Sequence, residues 1–242
     1  MTGTVWLDPA FWSGHFERVF VPQIVALCDA VICRVLPSFG QVDSEAESVA
    51  EEEYNRLGSL LGDEDADMAD AADRAQEAGL AYYEAMTAVE QTVLNVTVVA
   101  LHHLFEQQLL SFHRRQVLHR AEEDDANLIN LHEMRTRLKS GGVHIETLPS
   151  WPKVDELRVV ANAVKHAEGD SAERLRMLRP DLLVHPVLRD EDSLGRHYPH
   201  SIYLPLGGED IYITVNDIQD YKSAVTAFWH EFGSAIHGVS RH

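Results

Sequence analysis

From Ala69 to His119 the sequence carries a helical pattern that only Gly79 interrupts. At 1.5 Å per residue such a helix is much longer than the usual globular helix. A helix of that length needs neighbours laid along it, so the expected architecture is mainly α, a bundle around one long central helix. A first helix is expected from about Gly14 to Leu36, where Phe16, Val19, Phe20, Ile24, Leu27, Cys28 and Val31 recur at threes and fours. Pro22 implies either a kink there or a start just before it. A shorter helix is expected from Asp125 to Lys139, stopped by Gly141 and Gly142.

The next helix begins near Pro152, a residue favoured in the first turn, and Gly169 supplies its stop. Asp170 followed by Glu173 reads as the entry to another short helix, ended by Pro180. Near the C-terminus the period changes: Ser201 to Pro205 and Ile211 to Val215 read as two short strands of a β-hairpin joined through Gly207 and Gly208. A final helix follows over about 217–237, capped by Asn216 or Asp217, with Ile218, Tyr221, Val225, Phe228, Phe232 and Ile236 as its apolar stripe. The expectation is one helical-bundle domain over residues 1–242 with a small C-terminal β-hairpin.

The net charge of −19 speaks against a wide nucleic-acid-coating surface or a polybasic membrane patch. The charge is uneven. Thirteen acidic residues lie between Asp43 and Glu77, against Arg56 and Arg74 alone, so that segment is either a solvated helix face with a loop around Gly62 to Asp67, or an acidic arm for a basic partner. Twelve of the twenty basic residues lie between Arg114 and Arg179, where a local positive patch can form. Cys28 and Cys33 are too few for a disulfide scaffold or a Cys-based zinc site, and read as small buried residues in a reducing compartment. No signal peptide is evident, and no apolar segment is expected to reach the roughly 20 residues that span a bilayer. The expectation is a cytoplasmic chain without a membrane partner, cofactor or metal.

Chemistry concentrates in Ser150 to Gly169. Arg158, Asn162, Lys165 and His166 fall within an arc of roughly 100° at 100° per residue. A guanidinium, an amide, an ammonium and an imidazole together suit a phosphodiester. His166 can act as general acid or base, Arg158 or Lys165 can clamp phosphate oxygens, and Asn162 can orient the imidazole or donate to phosphate. The same stripe can also be a plain solvent face, opposite Leu157, Val160, Ala161 and Val164, with Asp155 and Arg158 as a surface ion pair.

His102, His103 and Glu106 form a second constellation at helical spacing. They read as a polar core or site-lining group, the start of a metal site lacking further ligands, or ordinary surface residues. Glu106 stands in an apolar register, hinting at a carboxylate near a cation such as Arg158. His113, Arg114, Arg115, His119 and Arg120 either favour the negative end of the long helix or contact an RNA backbone.

The stretch ELRVVANAVKH, Glu156 to His166, resembles the HEPN superfamily of small helical-bundle proteins, with HLFEQQ at His103 to Gln108 as a weaker echo. Asn162 and His166 match the polar residue and the His of the family's Arg-(polar)-x-x-x-His signature, and Ala161 stands where the family has Arg. The resemblance implies a metal-independent ribonuclease or RNA-binding protein of a bacterial toxin–antitoxin or anti-phage system, working as a homodimer. Arg158, Asn162, Lys165, His166, Glu106 and His103 would carry the site. The competing expectation is a catalytically inactive bundle that binds a protein partner, through the acidic segment 43–77 or otherwise.

Overall fold

A computed structural model describes residues 8–60, 68–166, 169–189 and 210–239. Among the described residues the α-helices are α1 (Pro9–His15), α2 (Val21–Ala30), α3 (Val42–Leu60), α4 (Met68–Phe112), α5 (Leu131–Ser140), α6 (Trp151–His166), α7 (Asp170–Leu178), α8 (Pro186–Arg189) and α9 (Val215–Val239). Five-residue π turns occupy Phe16–Phe20, Val31–Val35 and His113–Val117. The mainly helical class is therefore as expected, and the 45 residues of α4 form the long helix. The chain divides into two compact units, Met1–Asp29 with Leu94–His242, and Ala30–Val93.

In the first unit, Asp8 caps α1 by accepting from the Phe11 N–H at 3.0 Å, and Pro9 occupies the first turn. Pro22 brings no N–H to the helical ladder, and the turn before it is a π turn, with the Val21 N–H donating to the Phe16 carbonyl. This turn loads one face with Trp12, Phe16 and Phe20, which meet Phe105 and Phe112 of α4 and Phe228, Trp229 and Phe232 of α9. All eight rings are buried. Ring centroids lie 4.7 Å apart for Phe16 and Trp229, and 4.9 Å apart in the edge-on pairs Trp12–Phe112 and Phe105–Phe228. Each such side chain contributes about 1.5–3 kcal/mol by leaving water.

Several polar groups inside this core are matched. Trp229 Nε1 donates to Gln108 Oε1 at 2.9 Å, while Gln108 Nε2 donates to the Phe20 carbonyl at 3.1 Å. Trp12 Nε1 donates to Gln116 Oε1 at 2.6 Å. Arg179, just after α7, donates to Glu156 of α6 at 2.8 Å and to Asp217 of α9 and to Asp181 at 2.7 Å each. Tyr221 Oη and Lys153 Nζ also donate to Glu156, at 2.8 and 2.7 Å. Burial alone would raise the Glu156 pKa, but these donors outweigh it and hold the carboxyl below its ordinary value.

Asp217 starts α9 as well. It accepts from the Thr214 N–H and hydroxyl at 2.9 and 2.6 Å, and its own N–H faces Thr214 Oγ1 at 3.3 Å, a reciprocal capping box in which Thr214, two residues before Asn216, is the cap. Likewise Asn130 caps α5 through the Glu133 N–H, so that helix begins later than Asp125.

The second unit pairs α3 with the first half of α4 along a seam of small residues. Ala71, Ala75 and Gly79, spaced by four, are buried in α4. A Cβ on Gly79 would stand 2.8 Å from the Ala46 carbonyl oxygen and 3.0 Å from Ala50 Cβ. The one break in the helical pattern is thus where the two backbones come closest. Tyr82 Oη donates to Glu45 at 2.9 Å across the same pair. Glu47, Glu51 and Glu52 are exposed on α3, the solvated-face arrangement, while the loop around Gly62 to Asp67 lies outside the described residues.

Three expectations need correcting. No hairpin strand forms among the described residues: Ser201 to Pro205 lie outside them, and 211–214 is neither strand nor helix. Ile211 and Ile213 do alternate into the core, but the backbone there is bonded to the Asn95 side chain, with Nδ2 donating to the Ile211 carbonyl at 2.8 Å, and to the Leu182 carbonyl, 2.7 Å from the Tyr212 N–H. Cys28 is buried, its thiol pushed up to about 11 by that burial, but Cys33 is exposed, because five residues along a helix turn about 140°. Finally, the helical run Pro9–Ser59 is long and apolar enough, by length and composition alone, to cross a membrane. Pro22, Asp29 and Arg34 break the apolar sequence without breaking the helix; Phe20, Ile24 and Cys28 of the run are in the core.

Candidate functional site

The helix α6 packs Val154, Leu157, Val160, Ala161 and Ala163 into the core and turns its polar stripe outward. Arg158 and Asn162 are half-buried, and Lys165 and His166 are exposed at the C-terminal end, where positive charge meets the negative end of the helix. Arg158 Nε donates to Asp155 Oδ1 at 2.8 Å, and Arg174 of α7 reaches the other carboxylate oxygen at 3.0 Å. Burial would raise the Asp155 pKa, yet the bonds and charges of Arg158 and Arg174 prevail and lower it. The expected Asp155–Arg158 pair thus becomes a three-residue bridge between α6 and α7, leaving one face of the guanidinium committed.

The α4 constellation splits. His103 is exposed, whereas its neighbour His102 is buried, in register with Val98, Leu101, Phe105 and Leu109. His102 Nδ1 lies 3.4 Å from Glu106 Oε2, an electrostatic contact longer than a well-made hydrogen bond. Glu106 is half-buried, with 29% of its side chain exposed. Burial is the main force that lowers the His102 pKa to about 4, and the positive charges of Lys165 and Arg158 come next. The imidazole is therefore neutral at pH 7, and the two α6 cations act on it directly.

Three of the six residues selected from the sequence, Glu106, Arg158 and Lys165, thus bear on His102, while Asn162 lies between the two cations on the α6 stripe. His166 stands at the exposed end of the stripe, and His103 is on the solvent side of α4. His102, named in the second constellation but not among the six, is the member of that group that is buried. The signal that favours it is its four-residue spacing from Val98, which places it on the core-facing stripe. Ala161 is fully buried, so that position points into the core. The basic group after α4 also divides: His113 is buried with Nε2 2.8 Å from the Leu128 carbonyl, while Arg114 pairs with Asp124. Among the described residues, no three His, Cys, Asp or Glu side chains come together to hold a metal ion.

This arrangement offers an exposed imidazole, an exposed ammonium and a guanidinium with a free edge, beside a buried neutral imidazole that responds to their charge. It can bind an anion and exchange a proton at His166. No protein-family model matches the chain, and neither a curated protein nor a solved structure matches it.

Proposed function

We propose that the chain is a cytoplasmic HEPN-like protein that binds RNA at the α4–α6 face and cleaves it without a metal, in a bacterial toxin–antitoxin or anti-phage setting. The family and setting rest on the Glu156 to His166 resemblance. The chemistry rests on one observation: Arg158, Asn162, Lys165 and His166 lie along the outward stripe of α6, opposite its buried face. A phosphodiester seated on those cations neutralises them and contributes the charge-assisted bonds that anchor it. His166 takes the proton of the 2′-hydroxyl as that oxygen attacks phosphorus, and the leaving 5′-oxygen is protonated from solvent or from the returning imidazolium. Lys165 and Arg158 offset charge on the transition state, and Asn162 orients the imidazole. The reading includes a homodimer in which this face lines a cleft between two copies.

End-labelled RNA incubated with the protein in EDTA tests it. Cleavage by wild type that is lost in His166→Ala and weakened in Lys165→Gln supports the proposal. Undiminished cleavage in His166→Ala overturns its mechanism, and an absence of both cleavage and RNA binding overturns it altogether.

A second reading, a non-catalytic bundle that binds a protein partner, is favoured by the burial of Ala161 and by the exposed acidic face of α3. On either reading Ala161→Arg unfolds the protein instead of activating it, since it forces a guanidinium into the core.

A further inference from the structure

A recess of about 250 Å³ opens between α5 and the turn Ile145–Thr147, apart from the α4–α6 face. Its walls carry His132, Arg135 and Lys139 from one face of α5, and His144 and Glu146 from the segment that follows. The spacing of three and four residues brings the α5 side chains to one side of the helix. In a chain of net charge −19, this is a concentration of cationic and imidazole groups facing a single carboxylate.

Arg135 is held for a ligand more than for the fold. Its guanidinium stacks 5.0 Å from the Trp151 ring centroid, which fixes its plane. Its Nε is buried without a hydrogen-bond partner, and its nearest carboxylate, Glu146, stands 3.6 Å away with 62% of its side chain exposed. The contrast with Arg137, two residues on, is direct: that guanidinium is saturated by Glu122 and Glu133 at 2.6 Å each. Lys139 has no carboxylate partner among the described residues.

We infer that this recess is a phosphate-binding subsite, taking the phosphate of a small phosphorylated molecule or a single phosphate of a polynucleotide backbone. The partly exposed guanidinium can offer its terminal Nη donors to phosphate oxygens, and the Lys139 ammonium adds a point charge beside it. The imidazoles of His132 and His144 add further donors. The volume is at the small end of ligand sites and admits a phosphate with little attached to it. The inference stands independently of the function proposed for the α4–α6 face.

The test is calorimetric titration of the full chain with inorganic phosphate and, separately, with a single-stranded oligonucleotide lacking terminal phosphates, while tryptophan fluorescence is followed. Phosphate is expected to bind in the millimolar range and change a fluorescence signal that Trp151→Phe abolishes. Lys139→Glu, an exposed substitution that spares the fold, weakens binding roughly tenfold, the loss of one charge-assisted contact. Arg135→Gln weakens it at least as much, and Lys165→Gln leaves it unchanged. If the oligonucleotide alone shows this Lys139 dependence, the subsite is a backbone contact. The inference is overturned if neither probe binds, if binding survives Lys139→Glu, or if Lys165→Gln removes it, which would place the anion at the α4–α6 face.

Discussion

The two compact units solve the same problem, the burial of helix faces, with opposite materials. Met1–Asp29 with Leu94–His242 interlocks eight aromatic rings and carries polar groups into the interior, several of them tied to partners from another element: Gln108 to Trp229, Arg179 to Glu156 and Asp217, Ser150 to Glu231 at 2.6 Å. Ala30–Val93 brings α3 and α4 together on alanine and glycine, with Val42 the largest buried apolar side chain among its described residues. Large rings tolerate an inserted amide or carboxylate because they leave room for it and exclude water around it. A seam of small residues has space only for backbone. The first unit is therefore specified by particular partners, and the second by close approach, so damage to each takes a different form.

The largest effect is expected in the aromatic unit. Trp229→Ala removes a fully buried ring and strands the Gln108 carbonyl oxygen, costing about 4 kcal/mol in chemical denaturation. Arg179→Gln leaves Glu156 and Asp217, both largely buried, without their shared cation and costs about 3 kcal/mol by the same measurement. Replacing Arg179 with Lys recovers little, because an ammonium cannot bridge the two carboxylates in a plane.

Acid separates the units as well. The folded-state pKa of His102, about 4, lies below the ordinary value of 6.5, so the unfolded chain takes up this proton first. Stability consequently rises with pH between about 4 and 6.5 and is lost on acidification through that window. The difference amounts to at most about 3 kcal/mol. Denaturation midpoints of His102→Gln should fall less steeply with acid than those of wild type; parallel curves would show that His102 is not the group responsible. Glu122, lowered to about 2 chiefly by its bonds to Arg137, acts below about pH 4.5 and leaves this window undisturbed.

The smallest effect belongs to the seam. Gly79→Leu should force α3 away from α4 at a cost of about 2 kcal/mol. Hydrogen exchange is expected to quicken in 42–60 and 68–93 and not in α9. Equal loss of protection in α9 would mean that the units unfold as one, and would dissolve the contrast drawn here.

How much of this was legible in the sequence follows the range of the interactions. Helix α6 announced itself through Pro152 and Gly169, whose φ of 98° only glycine adopts readily, and α4 through its own periodicity. Those signals are local. The extended segment after Asp210 was misread as a strand because Ile211 and Ile213 alternate correctly, while the group that bonds to them, Asn95, lies more than a hundred residues away. The choice between His102 and His103 depended on which face of α4 meets α6, something α4 shows only when its whole apolar stripe is traced. The Arg179 cluster draws on α6, α9 and Asp181, so no window of sequence contains it. The recess beside α5 was foreshadowed only as a local excess of positive charge.

A π turn contains one residue more than the α-helical turn it replaces. At Phe16–Phe20 the wider turn absorbs that extra residue, so every later side chain keeps the face it would hold in an unbroken α-helix one residue shorter. Deleting one residue there would let the helix close into an ordinary ladder with Ile24 and Cys28 still on the core face. Any relative that lacks the turn should differ by a one-residue gap between Phe16 and Val21, even where its helices superpose.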